Sequence, residues 1–305
     1  MERVILDVDT GLDDAVALFL AAGLEEIQVE AVIATNGNVA LSKTVENTLN
    51  IMETAGCSCP VYKGSDKPLV RKHVIAGEFH GESGLDGPVF GKRKLQHLQE
   101  GDGITEMIRL LYENPKEISI VSVGPLTDLA IALEREPNLP TLVKQIIIMG
   151  GSFSEGNVTK EAEFNTFADP EAARIVFSCK AKLVLFPLDC TRQVTLSPER
   201  LSLYHAKPGR STEVFAACMD TYMANYEKHA IGWPQIHDPL CVAYLVDPSK
   251  VKTILRKVDV DITGGPSYGK TTQLPAGEDD GVWIATTLDI PWFWSLIDRA
   301  LAALP

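Results

Sequence analysis

Apolar runs of strand length recur along this chain at Val4–Val8, Gln28–Ala34, Glu117–Val123, Gln145–Met149 and Lys182–Pro187, with helix-length patterns between them. Runs with so little polar alternation predict strands covered on both faces, the mark of parallel pairing. The intervening patterns predict helices near 13–22, 42–55, 103–114, 126–135 and 169–178. The last of these opens with Asp169-Pro170-Glu171, an N-cap followed by proline at the first helical position. Such alternation implies right-handed crossovers and an α/β fold: an open, mostly parallel, Rossmann-like sheet flanked by helices. Ligands in such sheets bind at the carboxyl ends of the strands. No linker, repeat or low-complexity tract divides the 305 residues, so 1–305 is expected to form a single domain. Lys63–Gln99, rich in Gly, Pro and charge, reads as long loops. Residues 205–238 read as less regular and mobile.

Composition narrows the partners. Lys and Arg number 28 against 41 Asp and Glu, a net charge of −13, so phosphate backbones and anionic lipids are repelled. Neither nucleic acid nor a membrane surface is the expected partner. Ala15–Leu24 is about half a bilayer span, and the N-terminus has no secretory layout. The six cysteines (57, 59, 179, 190, 218 and 241) include one C-x-C and no second pair at zinc spacing, so reduced thiols and a cytoplasmic location are expected.

Chemistry concentrates where the first strand gives way to a helix. In Leu6-Asp7-Val8-Asp9-Thr10-Gly11-Leu12-Asp13-Asp14-Ala15, four carboxylates fall within eight residues. Two unit charges 4 Å apart repel by about 4 kcal/mol at an effective dielectric of 20, so converging several demands raised pKa values or a cation. Strand periodicity puts Asp7 and Asp9 on one face, and Gly11 permits a turn that returns Asp13 and Asp14 towards them. Carboxylate oxygens at this density suit calcium or magnesium rather than zinc. The alternative is that Asp13 and Asp14 only complement the helix dipole. A calcium-binding hand is excluded, because the Gly and Glu it needs are missing.

Other segments carry weaker signals. Asn36-Gly37-Asn38 alone reads as a turn, and Asp238-Pro239 alone reads as a helix start. Gly264-Gly265-Pro266-Ser267-Tyr268-Gly269-Lys270-Thr271 matches the phosphate-loop pattern, but Pro275 and Gly277 break the helix that such a loop requires. It reads as a hairpin or loop between late strands. His73, His97 and His205 read as surface or satisfied polar residues. Tyr222, Tyr226, His229 and Trp233 are candidates to close over a ligand, or else packing residues. Trp292 and Trp294 suit the core or a subunit interface.

The block Asp7-Val8-Asp9-Thr10-Gly11-Leu12-Asp13-Asp14-Ala15-Val16-Ala17-Leu18 resembles the N-terminal signature of the inosine–uridine-preferring nucleoside hydrolase family. The resemblance continues through Asn36-Gly37-Asn38, His80-Gly81-Glu82-Ser83-Gly84-Leu85, Val123-Gly124-Pro125-Leu126-Thr127, Met149-Gly150-Gly151 and Gly156-Asn157. It ends with Ala162-Glu163-Phe164-Asn165, Asp169-Pro170 and His237-Asp238-Pro239, in the family's order over nearly the whole chain.

The resemblance implies calcium-dependent hydrolysis of the N-glycosidic bond of ribonucleosides, giving free base and ribose. It implies one Ca²⁺ held by Asp9, Asp14, Asp238 and the backbone carbonyl of Val123, where many relatives have Thr. Asp9 is also expected to be the general base for the attacking water. Asp13, Asn38, Asn157, Glu163 and Asn165 are expected on the ribose, with Met149 and Phe164 completing the substrate pocket. His237 is the expected general acid for the departing base and His80 a second candidate. A homo-oligomer, dimer or tetramer, follows from resemblance alone, and the preferred base stays open. Two other readings compete. One is a non-catalytic calcium-dependent nucleoside binder. The other is a Mg²⁺-dependent haloacid-dehalogenase-like phosphatase with Asp7 as nucleophile, which leaves Asp13-Asp14 and His237-Asp238 without a role.

Overall fold

A computed structural model describes residues 1–76, 80–91, 97–277 and 281–305. Residues 77–79 and 92–96, part of the stretch read as long loops, lie outside the described residues, as do 278–280. Among the described residues ten strands form one sheet: β1 (Glu2–Val8), β2 (Ile27–Ala34), β3 (Val61–Lys63), β4 (Leu98–Asp102), β5 (Ile118–Ser122), β6 (Ile146–Met149), β7 (Leu183–Phe186), β8 (Val251–Val260), β9 (Thr271–Leu274) and β10 (Val282–Leu288). Their spatial order is β4-β3-β2-β1-β5-β6-β7-β10-β8-β9. Only the pairings of β8 with β10 and with β9 are antiparallel.

The five expected strands are present with ends shifted by a residue or two. The predicted helices appear as Leu12–Gly23, Leu41–Thr54, Gly103–Glu113, Thr127–Arg135 and Pro170–Phe177. Asp169 caps the last as expected, accepting from the Ala172 N–H at 3.1 Å. Alternate residues of β1 feed opposite faces: Val4, Leu6 and Val8 enter one core, and Ile5 enters the other. The helix Leu12–Gly23 is buried at every position from Leu12 to Ala21, because helices Leu41–Thr54, Arg210–Lys228, Pro239–Val246 and Ile290–Ala303 surround it.

Two expectations need correction. Residues 205–238 are not mainly irregular: Arg210–Lys228 is a 19-residue helix. Its buried stripe of Phe215, Met219, Tyr222 and Tyr226 recurs every three or four positions, as a helix face must. Val61–Lys63 and Leu98–Asp102 edge the stretch read as loops, yet both are strands. Trp294 is buried in the core and Trp292 packs against it. The phosphate-loop look-alike runs from the end of β8 into β9, with no helix at Lys270, as its Pro and Gly forecast.

The order of the strands locates the site. From β1 the chain winds outward through β2, β3 and β4, then crosses back to lay β5 on the other side of β1. Strand order reverses there, and the loops leaving β1, β2, β5 and β6 diverge around a crevice at their carboxyl ends.

Candidate active site

That crevice is a cavity of ≈ 600 Å³. Asp9 leaves β1, Asn38 follows β2, Val123 follows β5 and Met149 ends β6, so four strand ends deliver one residue each. Asp13, His80, Asn157, Glu163, Phe164, Asn165, His237 and Asp238 complete the expected set, and all of them line the cavity. Of the residues that the family resemblance assigns to the site, Asp14 is the one outside this lining, and it is fully buried.

The floor is acidic. One carboxylate oxygen each of Asp13, Asp14 and Asp238 lies within 4.8 Å of the others. Asp9 sits beside this trio and is held by the Asn38 N–H, which donates to its Oδ2 at 2.7 Å. Asp14 accepts from the Asp9 N–H (3.2 Å), the Gly11 N–H (2.9 Å) and Asn38 Nδ2 (3.2 Å), so the turn after β1 is organised around its carboxylate. Asp238 stands at the N-cap position of Pro239–Val246 but makes no side-chain capping bond, which leaves its carboxylate for the floor. Burial, then the charges of neighbouring aspartates, pushes Asp9 and Asp238 well above the usual carboxylate range, and raises Asp13 to about 7. After burial, the strongest electrostatic influences on Asp238 come from Asp13, Asp14 and Asp9, all of which raise it. Such an all-oxygen donor set fits a hard divalent cation.

Glycines here answer to crowding. Gly11 has φ −109°, open to any residue, but a Cβ would lie 2.4 Å from His80 Nδ1 and 2.7 Å from Asn38 Nδ2. Close approach, rather than an unusual turn, requires glycine at this position. A Cβ at Gly37 would meet Asp9 Oδ2 at 2.1 Å.

Asp7 does not share the face of Asp9. The strand ends at Val8, and Asp7 is fully buried, accepting from Ser122 Oγ at 2.7 Å. It does not line the cavity, so the phosphatase reading loses its nucleophile.

The wall differs in character. His80 Nδ1 accepts from the Leu12 N–H at 3.1 Å, and the ring stacks on Tyr222 with centroids 5.9 Å apart. Tyr226 meets Tyr222 edge-on at 5.0 Å. His237 Nδ1 lies 2.7 Å from Thr191 Oγ1. Burial lowers His80 to about 4; burial, then the Arg192 and His80 charges, lowers His237 to about 3. Both rings are therefore neutral near pH 7.

On the remaining side, Glu163 caps a short helix, taking the Asn165 N–H on Oε1 (2.8 Å) and the Gly151 N–H on Oε2 (2.8 Å). Asn165 Nδ2 donates to the Val123 carbonyl at 2.7 Å, and Asn157 Oδ1 accepts from the Phe164 N–H at 2.8 Å. Sequence reasoning missed Arg192, Gln235, Ile231 and Ile75, which also line the cavity. No motif announces them, since they arrive from loops and a helix end. Tyr222 and Tyr226 reach the cavity; His229 and Trp233 are exposed and do not line it.

Residues 4–295 match the family model described as inosine-uridine preferring nucleoside hydrolase. The chain belongs to this family. As a nucleoside hydrolase it is an enzyme acting on the N-glycosidic bond of ribonucleosides. It is 36% identical over 303 residues to the pyrimidine-specific ribonucleoside hydrolase RihB of Escherichia coli, covering 98% of this chain and 96% of that one. Its fold is similar to that of a purine-preferring ribonucleoside hydrolase from Gardnerella vaginalis, with TM-score 0.92, 28% identity and 99% of each chain covered. A plant nucleoside hydrolase aligns with TM-score 0.91, 32% identity and 99% coverage of both chains. Among the described residues of this nucleoside hydrolase, no helix is long and apolar enough to cross a membrane.

Proposed function

We propose that this enzyme hydrolyses pyrimidine ribonucleosides to free base and ribose, with calcium at the carboxylate floor. The observation that carries the reading is the convergence of twelve sequence-separated candidates on one cavity. The pyrimidine preference draws on the likeness to RihB. Calcium would be held by Asp9, Asp14, Asp238 and the Val123 carbonyl, with Asp13 close enough to join or to face the sugar. When bound, such an ion lowers the pKa of a water and takes hydroxyl oxygens as ligands.

The protein's own groups do the rest. Asp9, held by Asn38 and kept basic once a cation offsets its neighbours' charge, accepts the proton of the attacking water. Asp13, Asn38, Asn157, Glu163 and Asn165 orient the ribose, and their oxygens stabilise the positive charge that develops on the sugar. Met149 and Phe164 bound the space beneath the base. His237 assists base departure as a neutral donor, which suits a group lowered to about 3 better than imidazolium chemistry does. His80 gives a second ring at the base end.

The test is reducing-sugar release from uridine, cytidine, inosine, adenosine and guanosine, with calcium and after chelation. Release from uridine and cytidine first, lost on chelation and restored by calcium, is expected. Purine-first release would overturn the base preference. Chelation-insensitive release would overturn the metal. No release from folded, calcium-loaded protein would leave a binding module.

A further inference from the structure

The stretch 188–196 touches both the ribose side and the leaving-group side of the cavity. Towards the ribose loop, the Leu188 N–H donates to the Gly151 carbonyl at 3.0 Å, and Asp189 Oδ2 accepts from the Phe153 N–H at 2.8 Å. Arg192 donates from one guanidinium nitrogen to the Glu155 carbonyl (2.7 Å) and from another to the Gly156 carbonyl (2.8 Å). The next residue is Asn157. This loop is tightly wound: a Cβ on Gly156 would lie 2.2 Å from the Ala162 carbonyl oxygen. Within the loop the Gly156 N–H donates to the Lys160 carbonyl and the Asn157 N–H to the Ala162 carbonyl, while Ser152 Oγ shares the Glu155 carbonyl with Arg192. The guanidinium adds a tie from outside the loop at the two residues before Asn157.

Towards the leaving group, the Leu196 N–H donates to the Pro234 carbonyl and the Ile236 N–H to the Val194 carbonyl, both at 2.9 Å. This pairing delivers His237 beside Thr191. Thr191 is fully buried, and His237 is the hydroxyl's partner among the described residues. Were Nδ1–H to donate to the hydroxyl, the hydroxyl hydrogen would be buried without an acceptor. The hydroxyl therefore donates to a bare Nδ1, and the ring proton resides on Nε2.

We propose that Thr191 and Arg192 are positioning residues for the hydrolysis: Thr191 fixes His237 as an Nε2–H donor for the departing base, and Arg192 fixes the loop that presents Asn157 to the ribose. The proposal rests on the roles given to His237 and Asn157 above. Its two halves predict different kinetic signatures.

Thr191→Val keeps the shape and removes the donor. It is expected to lower kcat on uridine roughly tenfold to a hundredfold, the scale of a lost buried hydrogen bond. On 4-nitrophenyl riboside, whose leaving group departs as a stable anion, the change should be small, and Thr191→Ser should restore uridine turnover. Arg192→Met should instead raise KM for both substrates and weaken inhibition by free ribose, with Arg192→Lys recovering part of the loss. Melting curves with calcium establish that each variant is folded, and Thr191→Ala replaces Thr191→Val if the latter is not. Equal slowing of both substrates by the Thr191 variant would overturn the first half. Unchanged ribose inhibition in Arg192→Met would overturn the second. Wild-type inactivity on both substrates would instead defeat the reading of the site itself.

Discussion

On the floor of the cavity, burial pushes the acidic groups Asp9, Asp13, Asp14 and Asp238 up in pKa; on the wall, the same burial pushes the basic groups His80 and His237 down. Both regions are driven towards neutrality by loss of water. They differ in what the protein supplies to satisfy them. Each wall ring has its Nδ1 engaged, by the Leu12 N–H or the Thr191 hydroxyl. The floor trio gathers like charges, and the neighbours that act most strongly on Asp238 are themselves aspartates. The wall finds its partners within the polypeptide, whereas the floor sets carboxylates against one another, a donor set that a hard cation would suit.

The largest expected effect breaks the floor. Asp238→Asn should lower calcium-dependent turnover on the order of a thousandfold or more, the scale of several kcal/mol of lost electrostatic stabilisation. Calcium should raise the melting temperature of the wild type, and the substitution should abolish that rise. In chelated protein the same change should leave the melting temperature equal or higher, because it removes one of several repelling charges. A lower melting temperature in the chelated variant would mean that Asp238 stabilises the fold and that the floor is not frustrated.

The next breaks the wall. His237→Ala should cost about a hundredfold on uridine, the scale of a lost hydrogen-bond donor to the developing charge on the base, and only a few-fold on 4-nitrophenyl riboside. Equal losses on both would move His237 from leaving-group chemistry to shaping the pocket.

These two regions were unequally legible in the sequence. Asp9, Asp13 and Asp14 lie within six residues, so local charge density exposes the floor, and the strand before them supplies its location. The wall gathers His80, Thr191 with Arg192, Tyr222 with Tyr226, and His237 from four stretches far apart in the chain, and no local pattern unites them. The helix Arg210–Lys228 hid because its stripe carries tyrosines among polar neighbours, which dilutes the apolar signal. Strands buried on both faces were plain, since apolar residues dominate their central positions and fill β6 and β7 entirely. β4, Leu-Gln-Glu-Gly-Asp, is mostly exposed and β3 has three residues, so backbone pairing defines both and side-chain pattern does not.

A smaller effect sharpens the comparison through pH. His80 is lowered to about 4 in the fold against an ordinary value of 6.5, so between those values the unfolded chain binds the extra proton. Its contribution to stability is complete above about pH 6.5 and is lost as pH falls through 4, at most about 3 kcal/mol. The floor has the opposite sign, because raised carboxylates bind protons in the fold and gain stability as pH falls. In chelated protein, His80→Asn should therefore flatten the acid-side loss of melting temperature between pH 6.5 and 4. An unchanged slope would show that His80 is not held neutral by burial.

The smallest effect tests a tether outside both regions. Lys270 matches the lysine of a phosphate loop in sequence, yet its ammonium pairs with Glu161, at the outer end of the ribose loop. A phosphate loop works by aiming a helix N-terminus at its ligand. Here Thr271 instead begins β9, and its hydroxyl accepts from the Ser152 N–H (2.9 Å) and donates to the Ser152 carbonyl (2.6 Å). Anchored through buried Thr271, the loop does not depend on a half-exposed ion pair, which contributes little in water. Lys270→Met should shift the melting temperature by about 2 °C or less and KM for uridine by about twofold or less. Added ATP should change neither. A tenfold rise in KM would mean that the rim charge helps set the ribose loop, and that the floor and wall are not its only determinants.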